Sequence, residues 1–314
     1  MLKVRVGTRT SVLARWQTDH VLALWRALEP SLAVEVVAFS SVGDDMAEAP
    51  LESMEGTGFF SSRLERALLE GVIDVAVHSY KDLPVAMTPG LTVACVPRRG
   101  AVEDALCARD GLRLGELPPG ARVGTSSLRR VAQLRALRVD LEYVSIRGNV
   151  PTRLARVERR ELDAVVLALA GIERLGLGAR ATEVFATDTV LPAPAQGALA
   201  VQSRTAARRL NAHLARLDHA PTRHAVEAER VLLHALHGGC SVPVAALARV
   251  ERDRIRLEAG VFALDGSPAF RVVSEGVSPE ATGAEAARAL LGAGAGAVLE
   301  SLARTRGVAV EARR

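Results

Sequence analysis

Lys81 and Asp82 are the residues of this chain whose types and position are best suited to chemistry. They follow the apolar run Ile73–Val77, which predicts a buried strand, and Pro84 limits any continuation of that strand. Ligands bind beyond the carboxyl ends of strands in open α/β sheets, so we expect an ammonium and a carboxylate side by side at a binding edge. Lys3 is the one other lysine among the 40 Lys and Arg residues. A solvated ion pair at a strand end is the competing interpretation.

Cys240 is a second candidate, because its surroundings differ from those of the other two cysteines. It follows two glycines and precedes Ser-Val-Pro, which predicts an exposed loop with an accessible sulfur. From the residues alone it is a catalytic nucleophile, a covalent attachment point or a loop cysteine without a role. A Cys–His–Asn protease signature is missing, which disfavours acyl transfer. The three cysteines form no CxxC pair or metal-ligand pattern, so we predict no metal site.

Arginines recur where predicted strands end. Arg9 follows the strand Lys3–Val6 and precedes the helix Val12–Leu28, where free backbone N–H groups favour anions. In a second α/β unit, arginine follows each of three predicted strands: Arg129 and Arg130 after Ala121–Gly124, Arg147 and Arg153 after Leu141–Ile146, and Arg174 after Asp163–Ala168. Cations at a helix N-terminus oppose the helix dipole, which makes most sense if an anion binds there. A solvated charge is the competing interpretation for any one arginine, but it explains the recurrence less well.

These elements predict two α/β lobes joined by two crossings. We place the first lobe at 1–97 with 198–217 and the second at 103–193. The crossings are Pro97–Gly100 and Val190–Gly197, after which the strand Ala198–Gln202 returns to the first lobe. Two such crossings predict a hinged pair of lobes with the ligand in the cleft.

A smaller α+β domain is predicted at 221–314. It begins with the helix Pro221–Leu236 and ends with one long helix, from about Pro279 to Arg304. Between them lie three predicted strands, with Asp265-Gly266 as a hairpin signal. Elsewhere, the segment 43–58 has little periodicity, and we predict a loop long enough to act as a lid.

Composition narrows the functional classes. Hydrophobic residues make up 49% of the 314 residues and aromatic residues 3%, so the predicted cores are aliphatic. The net charge is +4, and almost all of the positive charges are arginines. Arginine suits nucleic acid or a small polyanion as a ligand. A nucleic-acid binder is disfavoured, because aromatics are scarce and the arginines fall at strand ends. The start of the chain does not predict a signal peptide, and no apolar run predicts a membrane span, so we expect a cytoplasmic protein.

Five motifs, in order, resemble those of the porphobilinogen deaminase (hydroxymethylbilane synthase) family: HSYKDLP, GTSSLRR, IRGNVPTRL, LPAPAQGAL and HGGCSVPV. The resemblance covers nearly the whole chain. It implies two hinged α/β lobes like those of the type II periplasmic binding proteins, plus a small C-terminal α+β domain. It also implies a monomeric transferase of porphyrin, tetrapyrrole and heme biosynthesis. Such an enzyme joins four porphobilinogen molecules head to tail with loss of ammonia, and then releases hydroxymethylbilane by hydrolysis.

The resemblance also implies roles for individual residues. Cys240 would hold a covalent dipyrromethane cofactor through a thioether. Asp82 would be catalytic, stabilising positive charge on a pyrrole nitrogen and relaying protons. The expected cofactor-binding residues are Lys81, Thr125, Ser127, Arg129 and Arg130. The expected substrate-binding residues are Arg9, Ser11, Arg147, Arg153 and Arg174, whose guanidinium groups suit the carboxylates of porphobilinogen.

Three positions depart from the family's usual pattern. Thr57 stands in the predicted lid where a lysine is frequent, Ala195 stands where glycine is common, and Tyr80 replaces a common methionine. None of these changes Asp82 or Cys240. The alternative function is a bilobal small-anion binding protein, which would leave Cys240 and the third domain unexplained and would require export.

Overall fold

A computed structural model describes residues 3–40, 62–236 and 242–305 of the chain. Cys240 and the predicted lid at 43–58, with Thr57, lie outside the described residues. The described chain forms two five-stranded sheets and one three-stranded sheet, with helices packed on them. This arrangement confirms the predicted α/β class with two lobes and a small α+β domain. The domain boundaries given above stay a prediction.

The first lobe is built on a sheet with the strand order β2-β1-β3-β10-β4. Its strands are β1 Lys3–Arg9, β2 Ala33–Phe39, β3 Val75–Ser79, β4 Leu91–Cys95 and β10 Leu199–Arg204. β1 runs parallel to β2 and β3, whereas β10 is antiparallel to β3 and β4. β1 is longer than predicted and ends at Arg9 itself. Because β1 and β3 are parallel, Arg9 and the turn after Ser79 lie at the same edge of the sheet.

Helices cover both faces of this first sheet. Helix α1 (Val12–Leu28) begins at the N-cap Ser11, whose side chain accepts a hydrogen bond from the Ala14 amide. Trp25 on α1 packs into the core on one face. Helix α2 (Ser62–Leu69) packs on the other face, and helix α6 (Arg208–Leu214) follows β10.

The second lobe has the strand order β7-β6-β8-β5-β9. Its strands are β5 Asp104–Ala108, β6 Arg122–Gly124, β7 Glu142–Val144, β8 Ala164–Ala168 and β9 Glu183–Val184, and its helices are α3 Leu128–Leu137, α4 Val150–Glu158 and α5 Leu169–Arg174. β6 is parallel to both β7 and β8, so the three arginine-bearing strand ends share one edge, as predicted. We did not predict β5, a short apolar run that opens on the charged Asp104.

The third domain packs two helices, α7 (Ala220–Ala235) and α8 (Pro279–Gly292), on an antiparallel sheet of β11 Val244–Glu251, β12 Arg254–Phe262 and β13 Ala269–Gly276. The prediction of one final helix is wrong. The chain turns by 82° between α8 and α9 (Ala295–Thr305), and Gly294 adopts a φ of +102° that glycine reaches readily. In the described ranges no single helix is long and apolar enough to cross a membrane; the bent pair α8 and α9 meets that criterion only together.

The two crossings between the lobes lie against each other and against the third domain. The Arg99 guanidinium binds both carboxylate oxygens of Glu229 on α7, at 2.7 and 3.0 Å, and its Nε donates to the Gln196 carbonyl. The Ala195 amide donates to the same carboxylate at 2.6 Å. A Cβ on Gly197 would lie 2.3 Å from the Ala101 carbonyl oxygen, so this close approach requires glycine.

Candidate active site

Four of the predicted site residues line one small pocket at the carboxyl edge of the first sheet. Arg9 reaches it from the end of β1, Ser11 from the start of α1, and Lys81 and Asp82 from the turn after β3. The pairing of Val6 with Val75 fixes this arrangement, because it aligns the two parallel strands. The pocket measures about 100 Å³. The strand-end rule therefore placed these side chains correctly.

Lys81 is not a solvated surface charge. The segment Tyr80–Asp82 forms a 3-10 turn directly after β3, and Lys81 is only partly exposed. Burial lowers the pKa of Lys81 to about 8, although the neighbouring Asp82 carboxylate opposes this effect. Its Nζ donates to Gln196 Oε1 at 3.2 Å. The ammonium is thus held inside a network, and the surface ion-pair interpretation is disfavoured.

Arg129 and Arg130 face an acidic residue that sequence reasoning missed. Asp104, fully buried at the start of β5, lies 2.7 Å from each of the two guanidinium groups. Burial alone would raise the pKa of Asp104, but the two arginines hold it well below its ordinary value. The chain itself therefore supplies an anion at the start of α3. One carboxylate faces two guanidinium groups, so the cluster keeps an excess positive charge.

Gln196 joins the two lobes beside Lys81 and was also missed. Its Oε1 accepts from Lys81, and its Nε2 donates to Asp104 at 2.9 Å and to the Val102 carbonyl at 2.8 Å. A continuous network consequently runs from the Lys81 turn to the Arg129–Arg130 cluster. The sequence signal was a single glutamine in the second crossing, with partners 115 and 92 residues away.

Two family models match this chain. The model described as "Porphobilinogen deaminase, dipyromethane cofactor binding domain" matches residues 4–212, and "Porphobilinogen deaminase, C-terminal domain" matches residues 224–292. The chain belongs to the porphobilinogen deaminase family. A porphobilinogen deaminase of Thermobifida fusca is 53% identical over 273 residues, covering 85% of this chain and 83% of that protein. Another, of Moorella thermoacetica, is 45% identical over 304 residues and covers 96% and 97%.

Among solved structures, the periplasmic VFT2 domain of Bordetella pertussis BvgS aligns with 68% of this chain and 86% of its own. Its sequence identity is 16% and its TM-score 0.41. The sulphonate binding protein SsuA of Escherichia coli aligns with 76% of this chain and 71% of its own, with 16% identity and a TM-score of 0.38.

In this porphobilinogen deaminase family member, the predicted site residues outside the first-lobe pocket lie in the second lobe, apart from Cys240. Burial lowers the pKa of Arg153 to about 10, with a further decrease from Arg130 and an opposing contribution from Asp82. Arg174 is placed differently: it donates to the Gly197 carbonyl at 2.6 Å and lies 5.7 Å from the Trp16 ring centroid.

Three further predicted residues lie at the same edge of the second sheet. Thr125 is buried, and its Oγ1 accepts from the Ser127 amide at 3.3 Å. Ser127 is the N-cap residue of α3 but makes no side-chain capping bond there. Arg147 is partly buried in the loop after β7.

The donor set fits a dipyrromethane carrying acetate and propionate groups. Lys81, Arg129, Arg130 and Arg153 are all partly or fully buried cations, whereas Asp82 and Asp104 are the carboxylates among them. Desolvated cations in excess favour planar carboxylates as ligands. The family model for this part of the chain carries the dipyromethane cofactor in its name.

Proposed function

We propose that this member of the porphobilinogen deaminase family is a transferase that condenses four porphobilinogen molecules head to tail on a dipyrromethane and then releases hydroxymethylbilane by hydrolysis. The deaminase activity follows from the family models and from curated relatives of that name. The single observation that supports the residue assignments is the pocket shared by Asp82, Lys81 and Arg9. We further propose a monomer in the reducing cytoplasm.

Asp82 is the catalytic group in this proposal. Loss of ammonia from porphobilinogen leaves an electrophilic azafulvene, and positive charge spreads onto its pyrrole nitrogen. A carboxylate beside that nitrogen accepts a hydrogen bond from its N–H and stabilises the positive charge. The same carboxylate is placed to relay a proton. The 3-10 turn Tyr80–Asp82 supports this role by fixing the backbone of Asp82 directly after a buried strand.

The predicted binding residues have two roles: one group binds the cofactor and the other binds the incoming substrate. Bound dipyrromethane supplies the pyrrole carbon to which the first substrate is joined, and we assign its thioether to Cys240. Its carboxylates are assigned to Lys81, Thr125, Ser127, Arg129 and Arg130. The acetate and propionate of the incoming substrate are assigned to Arg9, Ser11, Arg147, Arg153 and Arg174. Bidentate guanidinium–carboxylate pairs give both affinity and orientation.

The bilobal binding-protein alternative is not favoured. A C-terminal family model covers residues 224–292, the part of the chain that this alternative left unexplained.

The intact mass of the purified native chain and of the Cys240→Ala variant tests the proposed function. We expect a covalent excess of two pyrrole units in the native chain and none in the variant. If the native chain shows the bare polypeptide mass, it is incubated with porphobilinogen and measured again. If no adduct forms even then and no porphobilinogen is consumed, the proposed enzymatic activity is refuted.

The Asp82→Asn variant tests the catalytic role separately. By analogy with the loss of one charge-stabilising group, we expect kcat to fall about 100- to 1000-fold, while the two-pyrrole mass excess is retained. Asp110→Asn is the control, because Asp110 is an exposed carboxylate in the second lobe. The assignment fails if Asp82→Asn keeps a kcat close to that of Asp110→Asn.

A further inference from the structure

Arg230 of the third domain contacts the backbone of the catalytic turn in the first lobe. Its Nη2 donates to the carbonyls of Pro84 and Val85, at 2.5 and 3.2 Å. Its Nη1 faces the carbonyls of Leu83 and Tyr80, at 3.3 and 3.5 Å. Only 9% of Arg230 is exposed. One buried guanidinium therefore serves carbonyls on both sides of Lys81 and Asp82.

Tyr80 completes this contact. The Arg230 guanidinium carbon lies 4.7 Å from the centroid of the Tyr80 ring, within the range of a cation–π interaction. Tyr80 is itself 4% exposed. The aromatic ring thus gives this chain a second contact between the same two residues, beyond the hydrogen bonds to the backbone.

The turn has little else to hold its backbone. Among the described backbone hydrogen bonds, the Tyr80 amide donates to the Ala198 carbonyl at 3.0 Å and the Leu83 amide donates to the Tyr80 carbonyl at 3.3 Å. Pro84 has no N–H to contribute. Carbonyls at the end of a helical turn have no partner within the turn, and leaving them buried without a donor is costly. Among the hydrogen bonds of the described residues, Arg230 is the donor to the carbonyls of the three residues that follow Asp82.

We propose that Arg230 is a positioning residue for the deaminase reaction. It fixes the turn that carries Lys81 and Asp82 through its hydrogen bonds to the backbone and through its contact with the Tyr80 ring. The proposal rests on the proposed role of Asp82. Arg230 lies on α7, the helix that precedes the Cys240 segment in the sequence. The helix that leads toward the assigned cofactor cysteine thereby also sets the position of the catalytic carboxylate.

Kinetics of Arg230→Gln and Arg230→Lys in the holoenzyme test the functional part. A displacement of about 1 Å in a catalytic group costs up to about 100-fold in rate, so we expect Arg230→Gln to lower kcat about 10- to 100-fold. KM should change less than about threefold, and the two-pyrrole mass excess should remain. Lysine keeps the charge but loses the planar fork, so Arg230→Lys should recover only part of kcat. Tyr80→Met should lower kcat less than Arg230→Gln does.

Arg223→Gln is the matched control. Arg223 lies on the same helix and pairs with Asp218 and Glu227, but its bonds do not reach the turn. We expect this variant to keep kcat within about twofold of the native enzyme. The proposal is overturned if Arg230→Gln and Arg223→Gln lower kcat equally. It is also overturned if the loss of activity in Arg230→Gln only follows loss of the covalent cofactor.

Hydrogen exchange of the peptide covering residues 80–87 gives a readout that does not depend on activity. We expect this peptide to exchange about tenfold faster in Arg230→Gln than in the native chain, with no change in Arg223→Gln. Unchanged exchange would overturn the proposal even if turnover fell. A native chain that fails to consume porphobilinogen would refute the proposed function, while the exchange measurement would still decide whether Arg230 orders the turn. If Arg230→Gln does not fold, Arg230→Lys and Tyr80→Met decide in the same two assays.

Discussion

Two buried charge clusters lie within the same molecule and are built differently. At the lobe crossings, Arg99 and Glu229 form a one-to-one pair, and the Glu229 carboxylate also accepts from the amides of Ala195 and Ala248. At the second sheet, one carboxylate, Asp104, faces two guanidinium groups. The first cluster is neutral, and backbone amides occupy the remaining hydrogen-bonding positions of its carboxylate. The second keeps excess positive charge and connects to the pocket through Gln196.

The comparison teaches which buried charges are structural and which are available for a ligand. A neutral pair with every carboxylate oxygen bonded gains nothing from an added anion. A cluster with two cations for one anion can bind a further carboxylate without burying a net negative charge. We therefore expect the two clusters to respond differently to loss of their carboxylates and to added anions.

The largest stability effect is expected for Glu229→Gln. This nearly isosteric change leaves the Arg99 charge buried without a counterion, and breaking a buried pair in this way costs about 3–5 kcal/mol in the free energy of unfolding. Urea unfolding of the native chain and of the variant measures the difference. Glu227→Gln is the control, because Glu227 is partly exposed on the same helix and pairs with Arg223 at 3.2 Å. Equal losses in both variants would contradict the assignment of Glu229 as a structural anchor.

A smaller loss is expected for Asp104→Asn, about 2–3 kcal/mol, because Arg129 and Arg130 keep hydrogen bonds to the carbonyls of Leu191 and Val166. Added sulfate should recover part of this loss relative to the native chain in the same buffer, and should recover none in Glu229→Gln. Equal recovery by sulfate in both variants would remove the distinction between the clusters.

The pKa of Asp104 is lower in the folded protein than its ordinary value. The stability that Asp104 contributes is therefore fully present above the ordinary pKa, and it is lost only as the pH falls below that ordinary pKa. The stability difference between native chain and variant should therefore stay constant from about pH 5 to pH 7, below the titration of Lys81, whose pKa Asp104 helps to raise.

The strand-end arginines and the Lys81–Asp82 pair could be predicted because they depend on local signals. Apolar runs mark the strands, and parallel strands bring their carboxyl ends to one edge. The clusters could not be predicted, because their partners are far apart in the sequence. Asp104 and Arg130 are 26 residues apart, and Arg99 and Glu229 are 130 apart. Such pairs depend on the order of the strands and on the path of the crossings, which periodicity does not specify.

The last helix and the Arg129–Arg130 pair show one local and one non-local cause. The last helix was predicted as continuous because its composition is helical, whereas the turn at Gly294 depends on one residue with a positive φ. Arg129 and Arg130 were predicted to face a bound anion at the start of α3, and the structure pairs both with Asp104 of the chain itself. That an anion comes from the chain itself, through β5, follows only from the packing of two strands, and the assignment of these arginines to the cofactor stays a prediction.

The Lys81 side of the network should show a pH dependence that arginine cannot show. Its pKa lies near 8, below the ordinary value of 10.5, so its charged form is lost as the pH rises through 8. Binding of a carboxylate to Lys81 should weaken over this range, and kcat/KM should fall by up to about tenfold per pH unit above 8. The contribution of Lys81 to folding stability should instead rise between about pH 8 and pH 10.5. In this range the folded protein binds fewer protons than the unfolded chain, so raising the pH favours the folded state.

The Lys81→Arg variant separates this prediction from other titrations. Arginine stays charged through this range, so the decline in kcat/KM between about pH 8 and pH 9.5 should disappear, whatever the variant's activity at pH 7. Profiles of the native enzyme and the variant, measured in the same buffers, decide it. A decline of the same size in both would assign the titration to a group other than Lys81.

The smallest effect concerns Ala195, which donates to the structural pair from a φ of +61°. Relief of a left-handed alanine in Ala195→Gly is worth about 1–2 kcal/mol. It is opposed by about 0.5–1 kcal/mol of backbone entropy and about 0.8 kcal/mol for the lost buried methyl, so we expect nearly unchanged stability. Ala198→Gly is the matched control, because Ala198 is equally buried in the same core cluster but has no positive φ. Without strain to relieve, it should lose about 1–2 kcal/mol in urea unfolding. Equal losses at both positions would show that alanine at 195 carries no backbone strain, and that the crossing tolerates it without cost to the Arg99–Glu229 pair.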